Sequence, residues 1–170
     1  DPLAGRGAYD DKGELTSFTP ANVVAGHGHI NGRAVCMTAD DFTIRGGAET
    51  NAGISKIAAM ANLARQRRVP LVCLRNSAGG MIPKLDERAE SYGQGWGGMW
   101  AAVAGLLTYI PVASAVLGSC AGGPAVEVTM SHFNVMTKDT SELFVGGPML
   151  IKPALNIDIT KEELGNYKVH

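Results

Sequence analysis

Val69-Pro70-Leu71-Val72-Cys73-Leu74-Arg75-Asn76-Ser77-Ala78-Gly79-Gly80 and Ile110-Pro111-Val112-Ala113-Ser114-Ala115-Val116-Leu117-Gly118-Ser119-Cys120-Ala121-Gly122-Gly123 are two versions of one phrase. In each, a proline opens a short apolar run, as it can at the first residue of a strand, and the run closes on small residues and Ala-Gly-Gly. The pattern predicts two buried strands that each end in a glycine loop. Glycine adopts backbone conformations closed to other residues, and without a Cβ it lets N–H groups approach a ligand closely. Two such loops point to one amide-lined site for an anion or an oxyanion.

Outward from these strands the chain alternates. Val23–Ile30 and Arg33–Asp40 are apolar runs separated by Asn31-Gly32, the signal of a β-hairpin. From Thr50 to Arg68, the residues Ile54, Ile57, Ala58, Ala61, Leu63 and Ala64 fall near helical spacing. Arg65, Arg67 and Arg68 stand in the last turn, where cations suit the helix dipole. A second helix is expected from about Asp86 to Tyr109, rich in glycine, feeding the second proline-led strand. Pro124 fits the first position of a third helix over 125–131, because its fixed φ suits that turn and its missing N–H is not needed there. Phe133–Thr137 and Glu142–Val145 read as short strands, the latter ending at Gly146-Gly147-Pro148. Strand alternating with helix implies right-handed crossovers and a largely parallel sheet, hence the α/β class, with strands covered on both faces. Ligands on such sheets gather at the carboxyl ends of the strands, where both Ala-Gly-Gly loops lie. Residues 1–20 are polar with scattered Gly and Pro and read as an irregular arm; 21–170 read as the domain.

With 170 residues the chain can bury a real core. Fifteen Lys and Arg against 16 Asp and Glu leave a net charge of −1, which gives no bulk electrostatic case for nucleic acid or an anionic membrane. No apolar run reaches membrane-spanning length. The 22 glycines close apolar runs and form no periodic tract, so they read as turns and loops. Cys36, Cys73 and Cys120 are odd in number and two lie in expected buried strands, which points to free thiols in a reducing compartment, the cytoplasm or a mitochondrial matrix. There is no CxxC pair and no HExxH, and His27 and His29 merely flank a glycine, so no metal site is expected. The N-terminus lacks an initiator methionine and a signal-peptide pattern, as a fragment would.

Among chemical candidates, Ser119–Pro124 joins a strand to a helix start, so unpaired N–H groups and the positive end of the dipole converge there. A well-placed donor in such a hole stabilises an oxyanion by roughly 3–4 kcal/mol. Gly118-Ser119-Cys120-Ala121-Gly122 also has nucleophile-elbow spacing, G-x-C-x-G, with His132 the one downstream histidine before the terminal His170. Cys120 as a small packing residue is the simpler reading. Asp86, Glu87 and Glu90 suit a helix N-terminus more than acid/base work. Tyr92, Trp96 and Trp100, at helical spacing, suit a core or interface. Neither glycine pair forms a GxGxxG or a Walker A loop.

Gly26–Arg33, Asp41–Gly47, Asn76–Gly80, Gly118–Gly123 and Lys138–Pro148, five blocks in one register from about residue 20 to 170, resemble the carboxyltransferase family of biotin-dependent acyl-CoA carboxylases and decarboxylases, nearest the propionyl-CoA carboxylase β-subunit type. The resemblance implies a crotonase-like fold, a spiral of β-β-α units that holds a coenzyme A thioester carbonyl in an oxyanion hole. Carried over, Gly122 and Gly123 supply the backbone donors for the enolate. Ala78, Gly79 and Gly80 shape the same pocket, with Ala121 and Cys120 lining it. Biotin, on a partner carrier domain, brings the carboxyl group and takes the α-proton, so no strong side-chain base is needed.

The implied partners are an acyl-CoA, the biotin carboxylase and carrier components, and a second carboxyltransferase half or chain in a homo- or hetero-oligomer. The 21–170 segment then corresponds to part of the first half. Where the family usually has Asp-Ser-Gly-Gly-Ala-Arg, this chain has Asn76-Ser77-Ala78-Gly79-Gly80-Met81. Two other readings follow from that departure: a biotin-independent decarboxylase or hydrolase of the same fold, and a non-catalytic structural subunit.

Overall fold

The computed structural model describes residues 5–80 and 94–170. Its strands are β1 (Gly5–Tyr9), β2 (Leu15–Pro20), β3 (Val23–Ile30), β4 (Arg33–Asp40), β5 (Leu71–Ser77), β6 (Val112–Ala121), β7 (Phe133–Met136) and β8 (Glu142–Phe144). Its helices are α1 (Asn51–Arg67), α2 (Gln94–Ala104), α3 (Gly123–Thr129), α4 (Pro148–Leu155) and α5 (Lys161–Gly165), with a 3-10 turn at Arg45–Gly47. The main sheet runs β3-β4-β5-β6-β7, and β8 also pairs with β6. Only β3–β4 is antiparallel in it; the other pairings are parallel, as the alternation of elements requires.

Local chemistry explains the boundaries. Asn31 and Gly32 have φ of 49° and 77°, the paired positive values of a type I′ turn, and this closes the β3–β4 hairpin. Helix α1 starts where the Thr50 hydroxyl accepts the Gly53 N–H at 3.1 Å, and it stops at Arg68, whose φ of 53° is left-handed. Ile54, Ile57, Met60, Ala61 and Ala64 form its buried stripe, packed with Cys36, Leu71, Cys73 and Val112 of the sheet and Met99, Val103 and Leu106 of the α2 region. Ile57 is wholly buried, so Ile57→Ala would cost about 2–5 kcal/mol. A smaller core, Val116, Cys120, Ala125 and Val128, sits between β6 and α3.

Three expectations need correction. Residues 5–20 are not irregular: β1 and β2 form an antiparallel hairpin, turned by Asp10, whose side chain accepts the Lys12 and Glu14 N–H groups at 2.9 Å each. Its Tyr9, Leu15 and Phe18 stay exposed, so the hairpin carries no core-facing pattern. The central strands are covered on one face, not two. Along β5, Leu71, Cys73, Arg75 and Ser77 are buried while Val72, Leu74 and Asn76 are half-buried, and β6 alternates likewise. Pro124 occupies the second position of α3, after Gly123, with Gly122 as N-cap. The expected second helix is described over Gln94–Ala104; residues 86–93 lie outside the described segment.

Candidate functional site

The parallel register of β5 and β6 sets Ser77 opposite Cys120, which brings the two Ala-Gly-Gly loops side by side at the carboxyl edge of the sheet. Gly79 has φ +101° and Gly122 φ +67° with ψ −131°, a region that glycine alone occupies readily. A Cβ added at Gly79 would lie 3.3 Å from the Ala121 carbonyl oxygen. One added at Gly122 would lie 3.5 Å from Gly79 Cα and from the Gly80 nitrogen. The loops therefore meet at backbone distance, with the Ala121 methyl as the one side chain named at the contact.

The hydrogen bonds decide which amides are free. In the first loop, the Ala78 N–H donates to the Gly46 carbonyl at 2.9 Å and the Gly79 N–H to Ser77 Oγ at 3.2 Å; Ser77 Oγ in turn donates to the Gly47 carbonyl at 2.7 Å. The Glu49 N–H donates to the Gly79 carbonyl at 2.9 Å. In the second loop, the Gly122 N–H is shared between the carbonyls of Phe144 and Val145, both at 3.1 Å. The single Gly122 N–H, expected as a donor to a ligand, is thus engaged by the residues at the end of β8 in this structure. Gly123, in the first turn of α3, has no acceptor one turn back, and Gly80 is likewise unpaired among the described residues. Gly80 and Gly123 are the glycines of the two loops whose amides remain unpaired among the described residues.

Beneath the loops lies an ionic cluster that the sequence pattern did not single out. Arg75 is fully buried on β5; its Nη1 donates to Asp40 Oδ1 at 2.8 Å and its Nη2 bonds Glu127 Oε1. Asp40 Oδ2 also accepts the Asn76 N–H at 3.0 Å, so the cluster grips the backbone just before the first loop. Glu49, 5% exposed, completes a set of three acids around one guanidinium. Burial pushes its carboxyl up to about 8, against the pull of Arg75. The available signal was parity. Arg75 shares its strand face with Leu71, Cys73 and Ser77, so on an alternating strand it had to be buried and paired.

Other candidates separate cleanly. Cys120, expected to line the pocket, is 0% exposed here, and burial pushes its thiol up to about 12, which disfavours the thiolate that a nucleophile needs. His132 lies near the opposite end of β6, where Nδ1 accepts the Val112 N–H at 3.1 Å and Nε2 donates to the Leu107 carbonyl at 3.0 Å. Gly118 is glycine for packing, because a Cβ there would collide with the Asn76 carboxamide. Ala78 directly follows β5, and Ala121 is the last residue of β6. Cys36, Cys73 and Cys120 are free and buried. Asp86, Glu87, Glu90, Tyr92, Met81 and the side chain of Trp96 lie outside the described residues, and Trp100 packs against the main core. A cleft of about 750 Å³ bounded by Asn62, Arg65, Gln66 and Tyr109 lies at the far end of α1, away from both loops.

Residues 7–170 match the carboxyl transferase domain family. The chain is 36% identical over 157 residues to the human mitochondrial propionyl-CoA carboxylase beta chain, covering 92% of this chain and 28% of that protein. It is 32% identical over 148 residues to the alpha subunit of methylmalonyl-CoA decarboxylase from Veillonella parvula, covering 87% and 28%. The crystal structure of transcarboxylase 12S with methylmalonyl-coenzyme A and methylmalonic acid bound shares its fold with a TM-score of 0.81 at 30% identity, over 91% of this chain and 30% of that one. The chain thus spans less than a third of each of these three relatives. With sequence and fold in agreement along nearly its whole length, the chain belongs to the carboxyl transferase domain family.

Proposed function

We propose that this chain supplies the acyl-CoA half of a biotin-dependent carboxyl transfer site, with the thioester oxygen held between the Gly80 and Gly123 amides. The observation that carries this reading is the direct apposition of the two glycine loops with, among the described residues, one unpaired glycine N–H in each. As an acyl-CoA loses a proton, or a carboxyl group, at its α-carbon, negative charge develops on the thioester oxygen. Two fixed donors stabilise that charge without reorganisation, each by roughly 3–4 kcal/mol. The dipole of the seven-residue α3 adds to the field at Gly123. The close contact between the loops, made by Gly79, Gly80, Ala121 and Gly122, fits a flat, carbonyl-bearing group.

Biotin, when bound, supplies or accepts the carboxyl group; no described residue of this chain is assigned to hold it. Its binding surface, and the carrier and carboxylase components, belong to another half or chain, in keeping with the small share of the relatives that this chain spans. The names of the relatives favour a short acyl group such as propionyl or methylmalonyl.

The test is carboxyl-labelled methylmalonyl-CoA incubated with the intact protein, with and without free biotin. Label transfer that requires biotin supports the proposal. Release of labelled CO2 at the same rate without biotin supports the biotin-independent decarboxylase, and no turnover with no acyl-CoA binding leaves only a structural role.

A further inference from the structure

We propose that Glu49 is a positioning residue for the first glycine loop, clamping Gly79 through its backbone and loosening it when its side chain ionises. Three observations carry this. Glu49 is tied to the loop, because its N–H donates to the Gly79 carbonyl at 2.9 Å and it forms a parallel bridge with Gly80. Its side chain is buried, and both carboxyl oxygens lack a hydrogen-bond partner among the described residues. And it faces a cluster in which Arg75 of β5 is already shared between Asp40 of β4 and Glu127 of α3.

One guanidinium between two carboxylates leaves a net negative charge, and a third carboxylate beside it has only a share of the Arg75 charge and, among the described residues, no hydrogen bond to stabilise it. The groups facing Glu49 are Arg75, Glu127, Asp40 and, from β6, the Cys120 thiol. Of these only Arg75 favours ionisation of Glu49, and burial overrides it. At neutral pH the carboxyl therefore keeps its proton and the segment stays packed. Once ionised, it is drawn toward water, and because the Gly79 carbonyl hangs from the Glu49 N–H, the loop moves with it. The consequence for catalysis rests on the donor role proposed above for Gly80; the coupling of Glu49 to the loop does not.

The experiment is a pH titration by NMR of the intact protein without any acyl-CoA, following the Glu49 side-chain carboxyl carbon and the Gly79 and Gly80 amides in the wild type and in Glu49→Gln. The expected result is a carboxyl midpoint near pH 8, with both amides shifting at that same midpoint in the wild type and at none near it in the variant. A carboxyl midpoint near the ordinary glutamate value overturns the proposal, and so does a high midpoint that the two amides ignore. If Glu49→Gln fails to fold, the wild-type titration still decides. In turnover assays, kcat of the wild type should fall about tenfold per pH unit above the midpoint, and Glu49→Gln should lack that limb. A protein with no carboxyl transfer but with the coupled titration defeats the functional reading and leaves this one standing.

Discussion

The two Ala-Gly-Gly loops are near-identical in sequence and differently built. The first is held from below and beside: Asp40 and Ser77 fix its approach, and the Arg45–Glu49 segment bonds its backbone at Ala78 and Gly79. The second is held from across the sheet edge, with Gly122 bonded to the end of β8, and β8 in turn fixed by Glu142, which accepts from Ser119 Oγ at 2.6 Å and pairs with Lys161 at 3.1 Å. Each loop commits all but one of its glycine amides to these supports. Among the described residues this leaves one unpaired glycine N–H in each loop, the pair that the proposed site uses.

The largest effect should come from breaking the footing of the first loop. Arg75→Met leaves Asp40 and Glu127 buried without their cation and should cost about 3–5 kcal/mol in chemical denaturation. Next, Gly122→Ala places a methyl 3.5 Å from the Gly80 nitrogen and forces a side chain into a glycine-only conformation. It should lower kcat by about 10²–10³-fold, with a stability loss of about 1–3 kcal/mol. The Glu49 carboxyl binds its proton more tightly in the folded state than in the unfolded one. Its contribution is therefore full below the ordinary glutamate range and is lost as pH rises toward about 8, with a slope of at most about 1.4 kcal/mol per pH unit that Glu49→Gln should remove. Cys120→Ala trims a buried thiol from the small core, for about 1 kcal/mol, and should leave turnover intact; loss of turnover in a folded variant would revive the nucleophile. The smallest effect belongs to the second loop's outer clamp: Lys161 is half exposed, so Lys161→Ala should cost no more than about 1 kcal/mol.

Much of this was legible in the chain. The proline-led strands, the Asn31-Gly32 hairpin and the amphipathic stripe of α1 are local signals, and local signals specified the parallel sheet and placed both loops at its carboxyl edge. The β1–β2 hairpin was not legible because its apolar side chains face solvent, which leaves no buried period to read. The division of labour among the loop amides was invisible for a different reason: whether Gly122 or Gly123 is free depends on β8, more than 20 residues away. The acid cluster joins Asp40, Glu49, Arg75 and Glu127 from four separate segments, and only the inward parity of Arg75 hinted at it.

The most direct test of the paired-donor account is to add propionyl-CoA to the intact protein and follow the glycine amides by NMR. The account predicts that Gly80 and Gly123 shift together with one saturation curve while the Gly122 amide, bonded to Phe144 and Val145, stays near its free position. A shift at Gly122 with Gly80 unmoved would contradict it.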